Sequence, residues 1–244
     1  MKNKSFLTLL VVIIVMISLG VYYWFYSVDS ENLLSDNVGV YEKLNNIDSP
    51  IDYDKYAQFG STKERVDKIF FDLRAFQEQI AQNPEDYKVK LEYGSRLRML
   101  REYEYALEVY LDAIKSHIDF GAAYAEAAEI YTYPLAQYDQ AVKYYQLAIE
   151  KAPFRSDYYR WLAGLYEAKF PEKKSEIESL LLQGAEYAPD NAIAFYSYLI
   201  TFFHREGNLE KAIEYAEKSV QAKPDEESYQ NILRELKDEI SRTQ

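Results

Sequence analysis

The stretch "REGNLEKAIEYAEKSVQAKP", residues 205–224, reads as a turn, a helix and a stop, with small residues at Ala212, Ala216 and Ser219 and Pro224 at its end. Its spacing recurs. Taking Ala212 as an index, its counterparts are Ala106, Ala141 and Ile177, separated by 35, 36 and 35 residues along the chain. Four residues on from each index stand Tyr110, Tyr145, Leu181 and Ala216. Seven on stand Ala113, Ala148, Gly184 and Ser219, all small, and twelve on stand Ile118, Pro153, Pro189 and Pro224. A single helix could show such spacing by chance, but four helices in register form a repeat.

A partner helix precedes each index helix, and the partners align as well. Their sets are Lys90, Tyr93, Gly94, Leu97; Tyr124, Ala127, Ala128, Tyr131; Tyr159, Leu162, Ala163, Tyr166; and Phe195, Tyr198, Leu199, Phe202. The third position is small except in the last set, where Leu199 and Ala216 reverse the usual sizes and predict local repacking. The pattern resembles the tetratricopeptide repeat, W-x-x-L-G-x-x-Y, then A-x-x-x-F, then P, over about 34 residues. The resemblance covers about residues 87–224, four repeats. It implies an all-α fold, an α-solenoid in which antiparallel helix pairs stack into a right-handed superhelix. Close approach at the small positions and aromatic filling of the wider gaps agree with it, since no pair can bury its apolar face alone.

The repeats have ends. Residues 61–83 carry Val66, Ile69, Phe70, Leu73, Phe76 and Ile80 at helical spacing, with Ser61 or Thr62 as a cap and Asn83-Pro84 as a stop. Residues 225–244 place Tyr229, Ile232, Leu233, Leu236 and Ile240 on one face and read as a closing helix. The repeats themselves fill 84–224.

Ahead of the array, Phe6 to Tyr26 runs for 21 residues without a charge. At ~1.5 Å per residue it spans ~31 Å, about the thickness of a bilayer core. Tyr22, Tyr23, Trp24, Phe25 and Tyr26 form an aromatic belt; Lys2 and Lys4 precede the span and Asp29 and Glu31 follow it. A single transmembrane helix at 6–26, a cytoplasmic N-terminus at 1–5 and an extracytoplasmic repeat domain are expected. The rival is a signal peptide cleaved near Ser18-Leu19-Gly20 or Val28-Asp29-Ser30, which would release the array. Residues 27–60 hold seven acids against Lys43 and Lys55 and read as an acidic linker. Within it, Asp52-Tyr53-Asp54 lacks the further acids and the glycine of a calcium-binding EF-hand loop.

Composition limits the chemistry. The 244 residues carry a net charge of -12, which disfavours nucleic acid as a partner. With no cysteine, thiolate catalysis, disulfides and thiolate metal sites are excluded, and His117 and His204 are the two imidazoles. No phosphate loop, nucleophile elbow or zinc-binding His-Glu-x-x-His occurs, so no enzyme and no cofactor are expected. The resemblance instead implies a concave face lined by the first helix of each pair: Lys88, Leu91, Ser95, Arg98; Ala122, Ala125, Glu129, Thr132; Asp157, Arg160, Gly164, Glu167; Ile193, Tyr196, Ile200, Phe203. Family members that grip acidic chaperone tails use a Lys/Asn/Arg clamp. Here those positions hold Leu91, Ser95, Ala125 and Glu129, so that activity is not carried over. What remains is a mildly basic entrance (Lys88, Arg98, Arg160) and an apolar end (Ile193, Tyr196, Ile200, Phe203). The apolar end is either covered core or the anchor for a peptide. The expected role is a membrane-anchored scaffold for a protein or peptide partner in a bacterial envelope, with self-assembly as the structural alternative.

Overall fold

A computed structural model of the chain describes residues 51–243. The proposed membrane span, and the linker as far as residue 50, lie outside the described residues. Among the described residues, no helix is long and apolar enough to cross a membrane.

The described residues fold entirely as helices and short connections. A five-residue helix α1 (Tyr53–Ala57) is followed by the long α2 (Lys63–Gln82). Four pairs come next: α3 (Tyr87–Met99) with α4 (Tyr103–Ser116), α5 (Gly121–Thr132) with α6 (Tyr138–Lys151), α7 (Ser156–Lys169) with α8 (Ile177–Tyr187), and α9 (Ala192–Arg205) with α10 (Leu209–Ala222). The array closes with α11 (Glu227–Thr243). Each helix packs chiefly on its neighbours in sequence, as expected for a solenoid. One core runs from Tyr56 to Leu236 through all four pairs.

The repeat register is the register of the core. The index residues Ala106, Ala141, Ile177 and Ala212 are all 0% exposed. The small third position of the first set allows close approach: a Cβ added at Gly94 would overlap the Tyr110 ring, 2.8 Å from Cδ1. Gly184 is pressed in the same way, with Phe195 Cζ 2.7 Å from where its Cβ would stand. Lys90 stands where the later repeats carry Tyr124, Tyr159 and Phe195, and it is buried at 3% exposure. Its ammonium donates to Ser116 Oγ at 2.6 Å and pairs with Asp112 at 2.6 Å, as a buried charge requires.

The turns inside the pairs follow a rule of their own. Five residues before the index position, Arg101 (φ 62°), Ala136 (φ 51°) and Gly207 (φ 73°) adopt the left-handed conformation. That conformation ends the first helix and reverses the chain; the next amide then bonds back, Glu102 to the Leu97 carbonyl at 3.0 Å and Asn208 to the Phe203 carbonyl at 2.9 Å. The third pair differs. Pro171–Glu176 forms a 3-10 turn there, and α8 begins only at Ile177.

Capping fixes several helix starts. Thr62, not Ser61, caps α2 by accepting from the Arg65 amide at 3.3 Å. Asp86 accepts from the Lys88 and Val89 amides at 3.2 Å each, and Asn208 from Lys211 at 3.1 Å. Residues 51–60, read from sequence as the end of the linker, are partly folded onto the array. Asp52 caps α1, and Tyr56 is buried with its ring edge-on to Phe70 and its hydroxyl 3.0 Å from Glu102. The closing helix α11 buries Leu236 and half-buries Tyr229, Ile232, Leu233 and Ile240.

Candidate functional site

The first-helix face is built from α3, α5, α7 and α9, and its chemistry changes along its length. At the first repeat, Lys88 is exposed, with its ammonium 5.8 Å from the Tyr87 ring centre, while Leu91 and Ser95 are half-buried. Arg98 is engaged: Nη1 lies 2.6 Å from Glu126 and 2.6 Å from Glu129. Burial opposes the Arg98 charge, but the two carboxylates outweigh it and raise its pKa further. Burial likewise pushes Glu126 above the usual carboxylate range, against the pull of Arg98. Two carboxylates face the one guanidinium, so Arg98 offers little free positive charge to an acidic ligand.

At the second repeat, Ala125 is buried and Ala122 half-buried. The Thr132 hydroxyl donates to the Ala128 carbonyl at 2.8 Å, within its own helix. At the third, Arg160 pairs with Asp157 at 2.6 Å, so the second expected cation is also partnered. The basic entrance therefore reduces to Lys88 as the one exposed cation of the three.

The centre of the face is open. A Cβ at Gly164 would meet only the Tyr198 hydroxyl, at 3.8 Å. Glu167 accepts from that hydroxyl at 2.9 Å and pairs with Arg205 at 2.5 Å. Beside Gly164 stands Trp161, 39% exposed, its indole 6.1 Å from the Tyr145 ring and 5.8 Å from Tyr158. Sequence reasoning did not single out Trp161. The available signal was that it is the one tryptophan of the repeat array, adjacent in sequence to a groove position.

The apolar end is mostly folded inward. Ile200 and Phe203 are buried, and the Phe203 ring lies 5.8 Å from Tyr215 of α10 at 6°. Lys211 places its ammonium 4.7 Å above the Phe203 ring. Ile193 and Tyr196 are half-buried, and Tyr196 also stacks on Tyr215, at 6.1 Å. The partner helix α10 supplies most of this cover, rather than the closing helix.

Nothing in the described residues points to catalysis. His117 is exposed and stacked on Tyr87 at 4.3 Å, and His204 lies 2.9 Å from Glu239 at the surface. Among the described residues, no three His, Asp or Glu side chains converge as a metal site.

No protein-family model matches the chain, and no curated protein is similar to it. Solved structures are. A crystal structure of MamA aligns with a TM-score of 0.53 and 16% identity, over 71% of this chain and 93% of that one. A second MamA crystal structure aligns with a TM-score of 0.50 and 16% identity, over 61% and 85%. YrrB, described as a TPR protein with an unusual peptide-binding site, aligns with a TM-score of 0.49 and 19% identity, over 66% and 81%. At these identities the MamA likeness shows the fold alone, an all-α helical-repeat solenoid.

Proposed function

We propose that this chain is a non-catalytic tetratricopeptide scaffold that holds a protein or peptide partner on the first-helix face of its solenoid. In this reading, residues 6–26 tether it to a membrane and the repeats stand on the extracytoplasmic side. The observation that carries the binding assignment is the open stretch at Trp161 and Gly164. An exposed indole beside a backbone position with no side chain provides both an aromatic anchor and room for a partner's main chain. Arg160, Asp157, Glu167 and Tyr198 surround it with polar groups that can orient a ligand. The membrane assignment rests on the uncharged 21-residue span and its flanking lysines.

The test is photo-crosslinking in cells, with the probe at Gly164 and a control probe at Gln221 on α10. A discrete heterologous adduct at Gly164 alone is expected. An adduct to a second copy would replace the scaffold by self-assembly, and equal labelling from both positions would remove the assignment. Chemical labelling of intact cells against lysed cells, reading a cysteine placed at Gln221, tests the orientation. Labelling only after lysis would place the repeats inside. A mature chain shortened by about 20–30 residues would show a cleaved signal peptide instead.

A further inference from the structure

Charge is spread unevenly along the solenoid. Residues 51–104 carry ten Lys and Arg against eleven acids, and residues 105–244 carry fifteen against twenty-four. Two cations of the first part line a pocket of about 160 Å³ between the turn that follows α1, the start of α2 and the end of α3. Its exposed rim is Phe59, Arg65, Met99 and Arg101, with Phe59 44% and Met99 43% exposed. Tyr56 and Leu100 also line it but are buried, so an occupant meets the four rim side chains. Gly60 leaves the turn side open, since a Cβ there would have nothing within 4 Å.

Neither rim arginine pairs with a carboxylate among the described residues. Arg101 lies over the Phe59 ring, 4.5 Å from its centre. The neighbouring Glu102 is engaged by Lys55 and by the Tyr56 hydroxyl, the latter at 3.0 Å. Arg96 and Arg98, near the same end of α3, show the contrast: carboxylates of adjoining helices hold them at 2.9 Å and 2.6 Å. Two guanidiniums beside two exposed apolar side chains suit a carboxylate carried next to an aromatic ring. The chain supplies such a group close by. Ahead of Ile51, residues 27–50 hold five acids against Lys43, and Glu42 directly follows Tyr41. The short α1 and its flanking residues put Ile51 on the order of 15 Å from Phe59, at ~1.5 Å per helical residue. Asp48, three residues ahead of Ile51, spans at most ~11 Å of extended backbone, whereas Glu42, nine ahead, spans up to ~32 Å. Glu42 also closes a shorter loop than Asp36, Glu31 or Asp29, and a tethered group acts at a local concentration on the order of millimolar.

We infer that residues 40–44 of this chain dock on the pocket at the α1–α2 turn, with the Glu42 carboxylate between Arg65 and Arg101 and the Tyr41 ring against Phe59 and Met99. The free part of the linker is then residues 27–39, which shortens the tether of the array. The contact does not depend on the partner assigned to the first-helix face.

The chain has no cysteine, so an introduced pair reports the contact cleanly. The experiment uses the full chain in detergent carrying Lys43→Cys and Ser61→Cys, beside the two partners, and measures the rate of internal disulfide formation under a mild oxidant. In this background Glu42→Gln and R65Q/R101Q are each expected to slow the reaction about fivefold, and R65K/R101K to keep it within about twofold. Asp36→Asn and Asp48→Asn are expected to leave it unchanged, and about 0.5 M salt to slow the parent but not Glu42→Gln. Circular dichroism confirms that each variant is folded. The inference is overturned if R65Q/R101Q reacts as fast as the parent, or if Asp36→Asn or Asp48→Asn slows the reaction as much as Glu42→Gln does. A disulfide between two chains in place of the internal one would also overturn it, by giving the pocket to a second copy.

Discussion

In the first repeat Gly94 meets the ring of Tyr110; in the fourth, the same two positions hold Leu199 and Ala216, and all four are buried. The large residue has moved from the second helix to the first, and the combined volume is similar. The other differences between these repeats run in parallel. Lys90, buried and ion-paired, takes the place that Phe195 fills with a ring edge-on to Tyr159. Arg101 sits in the left-handed turn position that Gly207 occupies in the fourth repeat. The comparison teaches that the fold specifies positions and filled space rather than residue types. A tooth of this repeat can be built from a glycine and a tyrosine, or from a leucine and an alanine, provided the sizes are complementary.

The comparison can be broken most severely at its packed pair. Tyr110→Ala removes a fully buried ring and is expected to cost about 3–5 kcal/mol in urea denaturation. Gly94→Leu, which places a branched side chain where even a Cβ does not fit, is expected to cost about 3 kcal/mol. Next comes the buried charge of the first repeat. Asp112→Ala leaves the Lys90 ammonium with less compensation and should cost about 2 kcal/mol, whereas Lys90→Met, which removes the buried charge, should cost less.

The turns sharpen the same contrast at a smaller scale. Gly207→Ala is expected to lose about 1 kcal/mol, and Arg101→Gly to gain up to about 1 kcal/mol, because only glycine enters the left-handed region without steric cost. A partial offset is expected in Arg101→Gly, since its guanidinium lies over the Phe59 ring at 4.5 Å.

The smallest effects concern pH and have opposite signs at the first and last repeat junctions. Burial raises the Glu126 pKa, so its contribution to stability is complete below the ordinary carboxylate range and is lost as pH rises through its folded value. Glu126→Gln should therefore gain relative to wild type as pH rises from the ordinary carboxylate range through the folded value. At the junction of the third and fourth repeats, burial also opposes the Glu178 charge, but hydrogen bonds from Lys211 and Tyr215 outweigh it and lower its pKa. Its contribution is present above the ordinary range and fades as pH falls through the folded value. Glu178→Gln should lose most near neutrality and converge with wild type in acid. Parallel slopes for the two variants would contradict both assignments.

The core register was legible in the sequence because small residues recur where helix backbones must approach. That constraint selects composition directly, and the fully buried Ala106, Ala113, Ala141, Ala148 and Ala212 follow from it. The turns were less legible. Gly207 announces a left-handed residue, but Arg101 and Ala136 adopt the same conformation with side chains that give no sign of it, since the helix pair on either side imposes the turn. The candidate site was read only in part. Arg98 and Arg160 were placed on the correct helices, yet periodicity carries no information about the Glu126 and Glu129 carboxylates that a neighbouring helix brings to Arg98, while Arg160 is held by Asp157, three residues earlier on its own helix. Phe203 and Ile200 were ambiguous for a related reason: whether an apolar residue on a first helix is groove or core depends on the ring that the second helix brings to it, here Tyr215.

The most direct test of the central claim is a double-mutant cycle at the first repeat. Gly94→Leu, Tyr110→Ala and the two combined would be compared with wild type by urea denaturation. The combined variant copies the fourth repeat into the first. It is expected to lose about 2–3 kcal/mol less than the sum of the two single losses. If the two losses simply add, the positions do not share one filled space, and the equivalence of the first and fourth repeats is wrong.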